Sequence, residues 1–266
     1  MTMQASRIKE SLRGGAVVGT WIQALDPTAC EAAAAAGLDF VILDMEHGNF
    51  GDDSALHMIR ACDAGGVDAI VRVPGAGIEK VKNALDWGAM GVLLPLVRTG
   101  REAAEFVRQA RFEGPAGGAR GGCPWIRCAK YTGVSYKDYV DWCDQNRQIW
   151  AVIETPQAVE NIEDIARAGL DVLVLGPFDL ANALGFQGDT GHPEVIRALD
   201  RVIEAARGQG VELCCTLFSA DAAELGRQAR AWKAKGVRFF TNPSPGALLF
   251  GAYSAFRRSC RGEITA

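Results

Sequence analysis

Short apolar runs alternate along this chain with longer amphipathic or alanine-rich segments, and the boundary between them recurs. A helical pattern ends in a small residue or glycine and a strand pattern starts at once, in Ala36-Gly-Leu-Asp-Phe-Val-Ile-Leu43, Ala64-Gly-Gly-Val-Asp-Ala-Ile-Val71, Gly88-Ala-Met-Gly-Val-Leu-Leu94, Ala168-Gly-Leu-Asp-Val-Leu-Val174 and Lys235-Gly-Val-Arg-Phe-Phe240. Glycine there suits the left-handed backbone that closes a helix, so each repeat predicts a helix-to-strand junction. Further strands near 16–21, 150–154 and 211–216 bring the count to eight, and helical patterns follow near 28–36, 53–64, 78–86, 100–111, 156–168, 193–208, 221–234 and 245–258. Eight alternating units predict a (β/α)8 TIM barrel, an α/β fold forming a single domain over 1–266. The strands are nearly continuous apolar runs, as expected of strands covered on both faces. A doubly wound open sheet fits less well, because it normally stops at about five or six strands and no GxGxxG follows the first one.

The stretch 112–149 interrupts the alternation. It is glycine-rich from Gly114 to Gly122 and carries Arg120, Arg127, Lys130, Tyr131, Tyr136 and Tyr139. An ordered excursion over the barrel mouth is expected, since long loops in compact domains are commonly functional; a surface insertion is the alternative.

Composition narrows the function classes. With 266 residues, 48% apolar and 23% charged, the chain is an ordinary globular protein with a substantial core. A net charge of −4 and the lack of a lysine or arginine stripe argue against nucleic acid as a partner. The polar start Met1-Thr-Met-Gln-Ala-Ser-Arg-Ile-Lys-Glu10 has no signal-peptide core, and no apolar stretch approaches the roughly 20 residues of a membrane span, so a cytoplasmic location without membrane attachment is expected. The eight cysteines (Cys30, Cys62, Cys123, Cys128, Cys143, Cys214, Cys215, Cys260) form no CxxC pair and read as reduced, mostly buried small apolar residues.

In a parallel barrel, chemistry gathers at the carboxyl ends of the strands. Glu154 and Asp179 each fall where an apolar strand runs out, in Trp150-Ala-Val-Ile-Glu-Thr155 and Asp171-Val-Leu-Val-Leu-Gly-Pro-Phe-Asp179. Acidic side chains there have no packing use, whereas a divalent ion needs fixed oxygen ligands from neighbouring strand ends. Asp44, Glu46 and His47 follow the second strand. Asp39 and Asp171, before their strands, are assigned to junction structure. Arg72 interrupts the apolar strand Asp68-Ala-Ile-Val-Arg-Val-Pro74 and reads as an anion receptor, or alternatively as the partner of Asp44 or Glu46 in a salt bridge. A dicarboxylate, an arginine and a His47/Asp44 pair suit enolate chemistry. A metal ion would polarise a chelated 2-oxo acid, Arg72 would add positive charge at the keto oxygen, and His47, oriented and kept basic by Asp44, would move the hydroxyl proton of the aldol partner. Carboxylate ligands favour a hard ion such as Mg2+ or Mn2+.

From about Gly19 to Leu249 the chain resembles the HpcH/HpaI family of class II, metal-dependent 2-oxo-acid aldolases. The segments that carry the resemblance are Gly19-Thr-Trp21, Asp44-Met-Glu-His-Gly48, Val71-Arg-Val-Pro74, Ala84-Leu-Asp-Trp-Gly-Ala-Met-Gly-Val-Leu-Leu-Pro95, Ala119-Arg-Gly-Gly122, Ile153-Glu-Thr155 with Ala158-Val159, and Gly176-Pro-Phe-Asp-Leu180. The resemblance implies Glu154 and Asp179 as ligands of Mg2+, Mn2+ or Co2+, Arg72 on the pyruvyl oxygen, and His47 with Asp44 as the acid/base pair. It implies that Asp86 reaches the site of a neighbouring subunit in a hexamer built as a trimer of dimers, with the C-terminal helix used in packing between subunits. Trp21 and Leu217 match positions on the aldehyde side, and Gly176, Pro177 and Phe178 the substrate-carboxylate side. The implied reaction is reversible aldol cleavage of a 4-hydroxy-2-oxo acid to pyruvate, or a close 2-oxo acid, and an aldehyde. The alternatives are citrate-lyase-β-like or citrate-synthase-like carbon–carbon chemistry on oxaloacetate and an acyl-CoA, oxaloacetate decarboxylation at the same site, and a barrel kept only for binding. Val152 stands where several members have glutamine, and Phe178 is bulkier than the alanine common in homoprotocatechuate-pathway aldolases.

Overall fold

The computed structural model describes residues 3, 5–49, 51–75, 77–114, 117–219 and 221–265. Eight parallel strands, β1 (Val17–Ile22), β2 (Phe40–Asp44), β3 (Asp68–Arg72), β4 (Gly91–Leu94), β5 (Gln148–Ile153), β6 (Val172–Leu175), β7 (Glu212–Thr216) and β8 (Phe239–Asn242), close into a barrel in chain order. The last seam pairs Val17 with Phe239. The helices are α1 (Arg7–Arg13), α2 (Pro27–Ala35), α3 (Asp52–Gly65), α4 (Ile78–Trp87), α5 (Gly100–Ala110), α6 (Tyr136–Asn146), α7 (Pro156–Glu160), α8 (Ile162–Ala166), α9 (Pro177–Ala183), α10 (Pro193–Gln209), α11 (Ala222–Ala234) and α12 (Pro245–Thr265). The TIM barrel expected from the alternation is therefore present. Its junctions form as expected: Gly66 and Gly88 follow α3 and α4 with φ of 76° and 109°.

Side-chain alternation sorts the core into two layers. Phe40, Ile42, Ile70, Trp150, Val152, Val172, Val174, Cys214 and Phe239 fill the inside of the barrel. Val41, Leu43, Val71, Ile149, Ile153, Leu173 and Cys215 point outward beneath the helices. The interior is plugged by three aromatic rings: Trp150 meets Phe40 and Phe239 edge-on at centroid distances of 5.2 and 5.5 Å. Gly19 makes room for them, since a Cβ there would lie 2.6 Å from the Phe40 ring and its carbonyl oxygen.

The polar amino-terminal stretch contains a helix that the apolar pattern did not predict. Ile8 of α1 is fully buried in the interior cluster, and Asp68 accepts hydrogen bonds from Ser6 Oγ (2.9 Å) and the Ile8 N–H (3.0 Å). Asp39 and Asp171 are junction residues, as read from sequence. Asp39 accepts from the Val18 N–H at 2.8 Å, and Asp171 from the Ile149 N–H at 2.7 Å.

The excursion 112–149 is ordered but lies at the other end of the barrel from the one expected. It connects α5 to β5, and a helix-to-strand connection returns to the amino-terminal face of a parallel barrel, opposite the mouth. There Arg127 donates to the Trp87 carbonyl at 3.0 Å and pairs with Asp63, both at helix ends. Residues 115 and 116 of its glycine-rich run lie outside the described residues. Phe112, Cys128, Ala129, Tyr139 and Cys143 form a small core of their own beneath it.

All eight cysteines are free thiols, with Cys123 and Cys260 half-buried and the others buried. No helix among the described residues is long and apolar enough to cross a membrane. The last helix stands apart. No described side chain of α12 is buried, and Leu248, Leu249, Phe250, Tyr253 and Phe256 are 45–74% exposed. The aromatic plug gives a direct test of the interior layer: Trp150→Ala is expected to cost about 3–5 kcal/mol, read from the shift in the urea unfolding curve.

Candidate active site

The parity that fills the barrel also builds the site above it. One step beyond the interior positions of each strand come Asp44 after Ile42, Arg72 after Ile70, Glu154 after Val152, Gly176 after Val174 and Thr216 after Cys214. All of them but Asp44, which lies buried behind Arg72, line a cavity of about 310 Å3 at the carboxyl ends of the strands. Trp21, Gln23, His47, Arg72, Val152, Glu154, Gly176, Pro177, Phe178, Asp179, Thr216, Phe218 and Ser244 line it. Glu154 and Asp179 thus face one cavity.

Arg72 is 7% exposed and held on three sides. The β2–β3 register sets Asp44 directly opposite it. Its Nε donates to Asp44 Oδ1 at 2.8 Å and its Nη2 to Asp44 Oδ2 at 2.5 Å, while Nη1 lies 3.0 Å from Glu46 Oε2. The Trp21 ring covers the guanidinium at 4.8 Å. The salt-bridge reading of Arg72 is the one that the structure shows; a guanidinium has five N–H groups, so one on Nη1 and one on Nη2 are not used by these carboxylates. Asp44 is fully buried; burial disfavours its charge, but the Arg72 hydrogen bond and charge prevail and hold its carboxyl below the usual range.

The expected His47–Asp44 contact takes another form. Asp44 accepts from the backbone N–H groups of Glu46 and His47, both at 3.1 Å, and from Gln23 Nε2 at 2.8 Å, so it shapes the loop and does not touch the imidazole. Its oxygens are already taken by Arg72. The carboxylate near the ring is Glu46, with Oε2 at 4.0 Å from Nε2, and the His47 side chain is 63% exposed at the mouth.

Glu154 is 5% exposed, and its Oε1 accepts from the Leu96 N–H at 2.6 Å. Burial above all pushes its pKa up; the Leu96 N–H and Arg72 oppose this, while Asp179 and Glu46 reinforce it. Gly176 is required beside it, because a Cβ there would stand 2.6 Å from Glu154 Cβ. Pro177, Phe178 and Asp179 open α9, whose first-turn N–H groups at Phe178 and Asp179 have no partner within the helix. The Phe178 side chain packs toward Gly188, where an added Cβ would lie 2.6 Å from its ring.

Two sequence-derived positions are not brought into this group. Leu217 is 8% exposed in the layer under the helices, because it has outward parity; Thr216 and Phe218 on either side face the cavity instead. Asp86 ends α4 at the amino-terminal end of the barrel and pairs with Arg120 Nη2 at 2.6 Å. Gln23, Thr216, Phe218 and Ser244 were missed. Trp21 Nε1 donates to Thr216 Oγ1 at 3.1 Å and Thr241 Oγ1 at 3.2 Å, which fixes the ring that covers Arg72.

A divalent ion fits this donor set on charge. Arg72 is matched by Asp44 and Glu46, which leaves Glu154 and Asp179 without an ion pair among the described residues, in a cavity where the Asp179 charge disfavours that of Glu154. Among the described residues no group of three or more His, Cys, Asp or Glu side chains is arranged to hold a metal, so two carboxylates are what the chain offers. That suits a hard cation that keeps waters or takes substrate oxygens.

Comparison with known proteins places the chain. Residues 18–242 match the HpcH/HpaI aldolase/citrate lyase family. The chain belongs to this family. It is 32% identical over 213 residues to a hydroxypyruvate/pyruvate aldolase of Pseudomonas aeruginosa, covering 79% of this chain and 78% of the relative. It is 35% identical over 209 residues to a 4-hydroxy-2-oxovalerate aldolase of Rhodococcus jostii RHA1, covering 76% and 79%. Its fold superposes on the crystal structure of the citrate synthase SbnG with a TM-score of 0.85 at 27% identity, over 97% of this chain and 99% of the other. The two sequence relatives are, as their names state, aldolases, carbon–carbon lyases.

The strained electrostatics of this HpcH/HpaI site yield a stability test. Glu154→Gln removes a buried charge that Asp179 opposes and keeps an oxygen to accept from Leu96. In chelator-treated protein it is expected to raise the unfolding temperature by roughly a few degrees, measured by calorimetry, while activity is lost.

Proposed function

We propose that this chain is a divalent-metal-dependent lyase that reversibly cleaves a 4-hydroxy-2-oxo acid into pyruvate, or a close 2-oxo acid, and an aldehyde. The observation that carries this reading is the pairing, in one cavity, of two uncompensated carboxylates with an arginine whose remaining N–H groups are free. Relatives named as hydroxypyruvate/pyruvate and 4-hydroxy-2-oxovalerate aldolases support the substrate class.

Glu154 and Asp179 would hold the ion. Bound there, it would supply Lewis-acid polarisation of the keto oxygen; Mg2+, Mn2+ and Co2+ all suit the donor set. Arg72 donates its two remaining N–H groups to that oxygen, where negative charge grows as the bond between C3 and C4 breaks. Its clamp by Asp44 and Glu46 fixes the donors before substrate arrives, so little reorganisation is needed. The N–H groups of Phe178 and Asp179 at the start of α9 receive the substrate carboxylate, with Gly176 allowing close approach. His47, at the mouth beside Glu46, takes the proton of the C4 hydroxyl during cleavage and returns it during condensation. In the net reaction the proton taken from the C4 hydroxyl balances the one that C3, the carbon released from C4, gains as it becomes the pyruvate methyl group, and condensation reverses both transfers.

A second reading, favoured by the likeness to SbnG, keeps the grip on a 2-oxo acid, here oxaloacetate, and changes the carbon partner to an acyl-CoA in a citrate-forming condensation. A panel of aldehydes with pyruvate, set against oxaloacetate with an acyl-CoA, separates the two. We also propose a homo-oligomer. The exposed apolar face of α12 supports subunit packing, and Asp86, remote from its own chain's cavity, would serve a neighbour's. Deleting residues 245–266 is expected to lower the molar mass seen by light scattering.

The decisive experiment is solvent deuterium exchange into the methyl group of pyruvate. The parent with Mn2+ is expected to exchange, and Glu154→Ala and Asp179→Ala to lose both exchange and bound Mn2+. Arg72→Lys should slow exchange by about 100- to 1000-fold, because an ammonium cannot reproduce the fork that meets Asp44 and the substrate together. Near-parental exchange in Arg72→Lys would remove the arginine from the mechanism.

A further inference from the structure

A second polar cavity, of about 40 Å3, lies at the amino-terminal end of the barrel, remote from the mouth. Arg147, Arg127, Lys130, Asp63, Cys128 and Trp142 contribute to its walls. Arg127 and Asp63 pair and cancel. Arg147 differs: it is 6% exposed, its buried Nε and Nη1 have no hydrogen-bond partner, and no carboxylate among the described residues pairs with it. The face of Trp142 covers it, 5.3 Å from the guanidinium carbon. Lys130 stands at the wall with no ion pair among the described residues, on a backbone held at a positive φ of 54°.

The positive charge extends behind the wall. Arg120 is 1% exposed and its Nε and Nη1 are also without partners, with Asp86 as its one carboxylate. Cys128 and Tyr139, hydrogen-bonded to each other at 2.8 Å, lie within reach of both the Arg120 and Arg147 charges. Once Arg127 and Asp63 cancel, Asp86, paired with Arg120, is the one carboxylate in an ion pair with any of Arg120, Arg147 and Lys130 among the described residues. Water in the cavity leaves a buried charge unmatched, whereas an oxyanion supplies counter-charge to the guanidinium in its wall. At roughly 10–15 Å3 per water position, the cavity has room for about three, the size of one phosphate group.

We propose that this cavity binds a small oxyanion of the phosphate class, free or as a monoester. Arg147 grips it and Lys130 closes the outer side. The bound anion ties the segment 127–147 to the ends of α3 and α4, which carry Asp63 and Gly88, and so steadies the part of the chain that holds Asp86 and Arg120. The cavity shares no lining residue with the mouth, so binding there is read without reference to turnover.

The test is thermal unfolding of the full chain with inorganic phosphate titrated against chloride at constant ionic strength. A saturable rise in unfolding temperature is expected for the parent, absent in Arg147→Met at phosphate levels that saturate the parent. Lys130→Met should shift the midpoint of the response about tenfold to higher phosphate, and it keeps the test valid if the first variant folds poorly. Glycerol phosphate distinguishes the sources: a response equal to that of phosphate assigns a monoester, and none assigns the free ion. An unchanged response in both variants, or a parent response no larger than with chloride, overturns the proposal.

Discussion

A guanidinium built into a barrel strand must find its counter-charge inside the barrel, and the pairing of β2 with β3 provides it. The register that closes the sheet sets Asp44 opposite Arg72, so the ion pair forms as the two strands pair. Removing one partner of such a buried pair typically costs about 3–5 kcal/mol, because the other charge is left without compensation. The consequence for chemistry is that Arg72 is not free to rotate toward any passing anion. Its two bonds to Asp44, the contact with Glu46 and the Trp21 ring leave only the N–H groups that face the cavity.

With Arg72 neutralised, the balance of the mouth turns negative, and that imbalance gives Glu154 and Asp179 their significance. Glu154 is fixed by the N–H of Leu96, which sits at φ 51°, a left-handed conformation that a leucine adopts only under constraint. Strained backbone of this kind persists where the surrounding structure holds it, and such positions cluster around ligand sites. The β4 exit therefore aims an amide at a carboxylate that burial and like charge would otherwise tend to protonate. A cation in the cavity and that amide act in the same direction on Glu154.

Much of this was legible in the sequence, and the failures follow from specific causes. Periodicity and junction glycines gave all eight strands, because strands covered on both faces leave long apolar runs that few other elements imitate. Glu154, Asp179 and Arg72 were visible as charges that interrupt or end such runs. Leu217 was misplaced by one residue: Cys214 faces inward, so Thr216 and Phe218 share its side and Leu217 cannot, an alternation that sequence alone could have supplied. The same parity leads from Trp21 to Gln23. The role of Asp44 was not accessible that way, since its choice between imidazole and guanidinium depends on the register between strands. The excursion was set over the wrong end by reading length as function, when its position between a helix and the next strand already assigned it to the amino-terminal face. Helix α1 was hidden because it meets the barrel interior through buried Ile8 and half-buried Leu12, too little for an apolar pattern.

The aromatic plug explains how these two ends can differ so much in chemistry. Phe40, Trp150 and Phe239 fill the barrel between them, so the mouth and the floor share strands but no cavity. Above the plug, Phe218 and Ser244 reach the cavity from strand-to-helix loops and Phe178 from the first turn of α9, positions that can change without disturbing the interior layer. The polar centre is different in kind: Asp44, Arg72 and Glu154 stand on, or directly after, strands whose inward parity the plug enforces. Within a family that includes aldolases of different named substrates, such a division lets the carbon partner vary through loops while the polar centre stays tied to the barrel register. The bulk of Phe178 and the absence of an amide at Val152 fall on opposite sides of that divide. A ring at the rim changes which partner fits, whereas an apolar side chain in the interior layer changes what surrounds Glu154 itself.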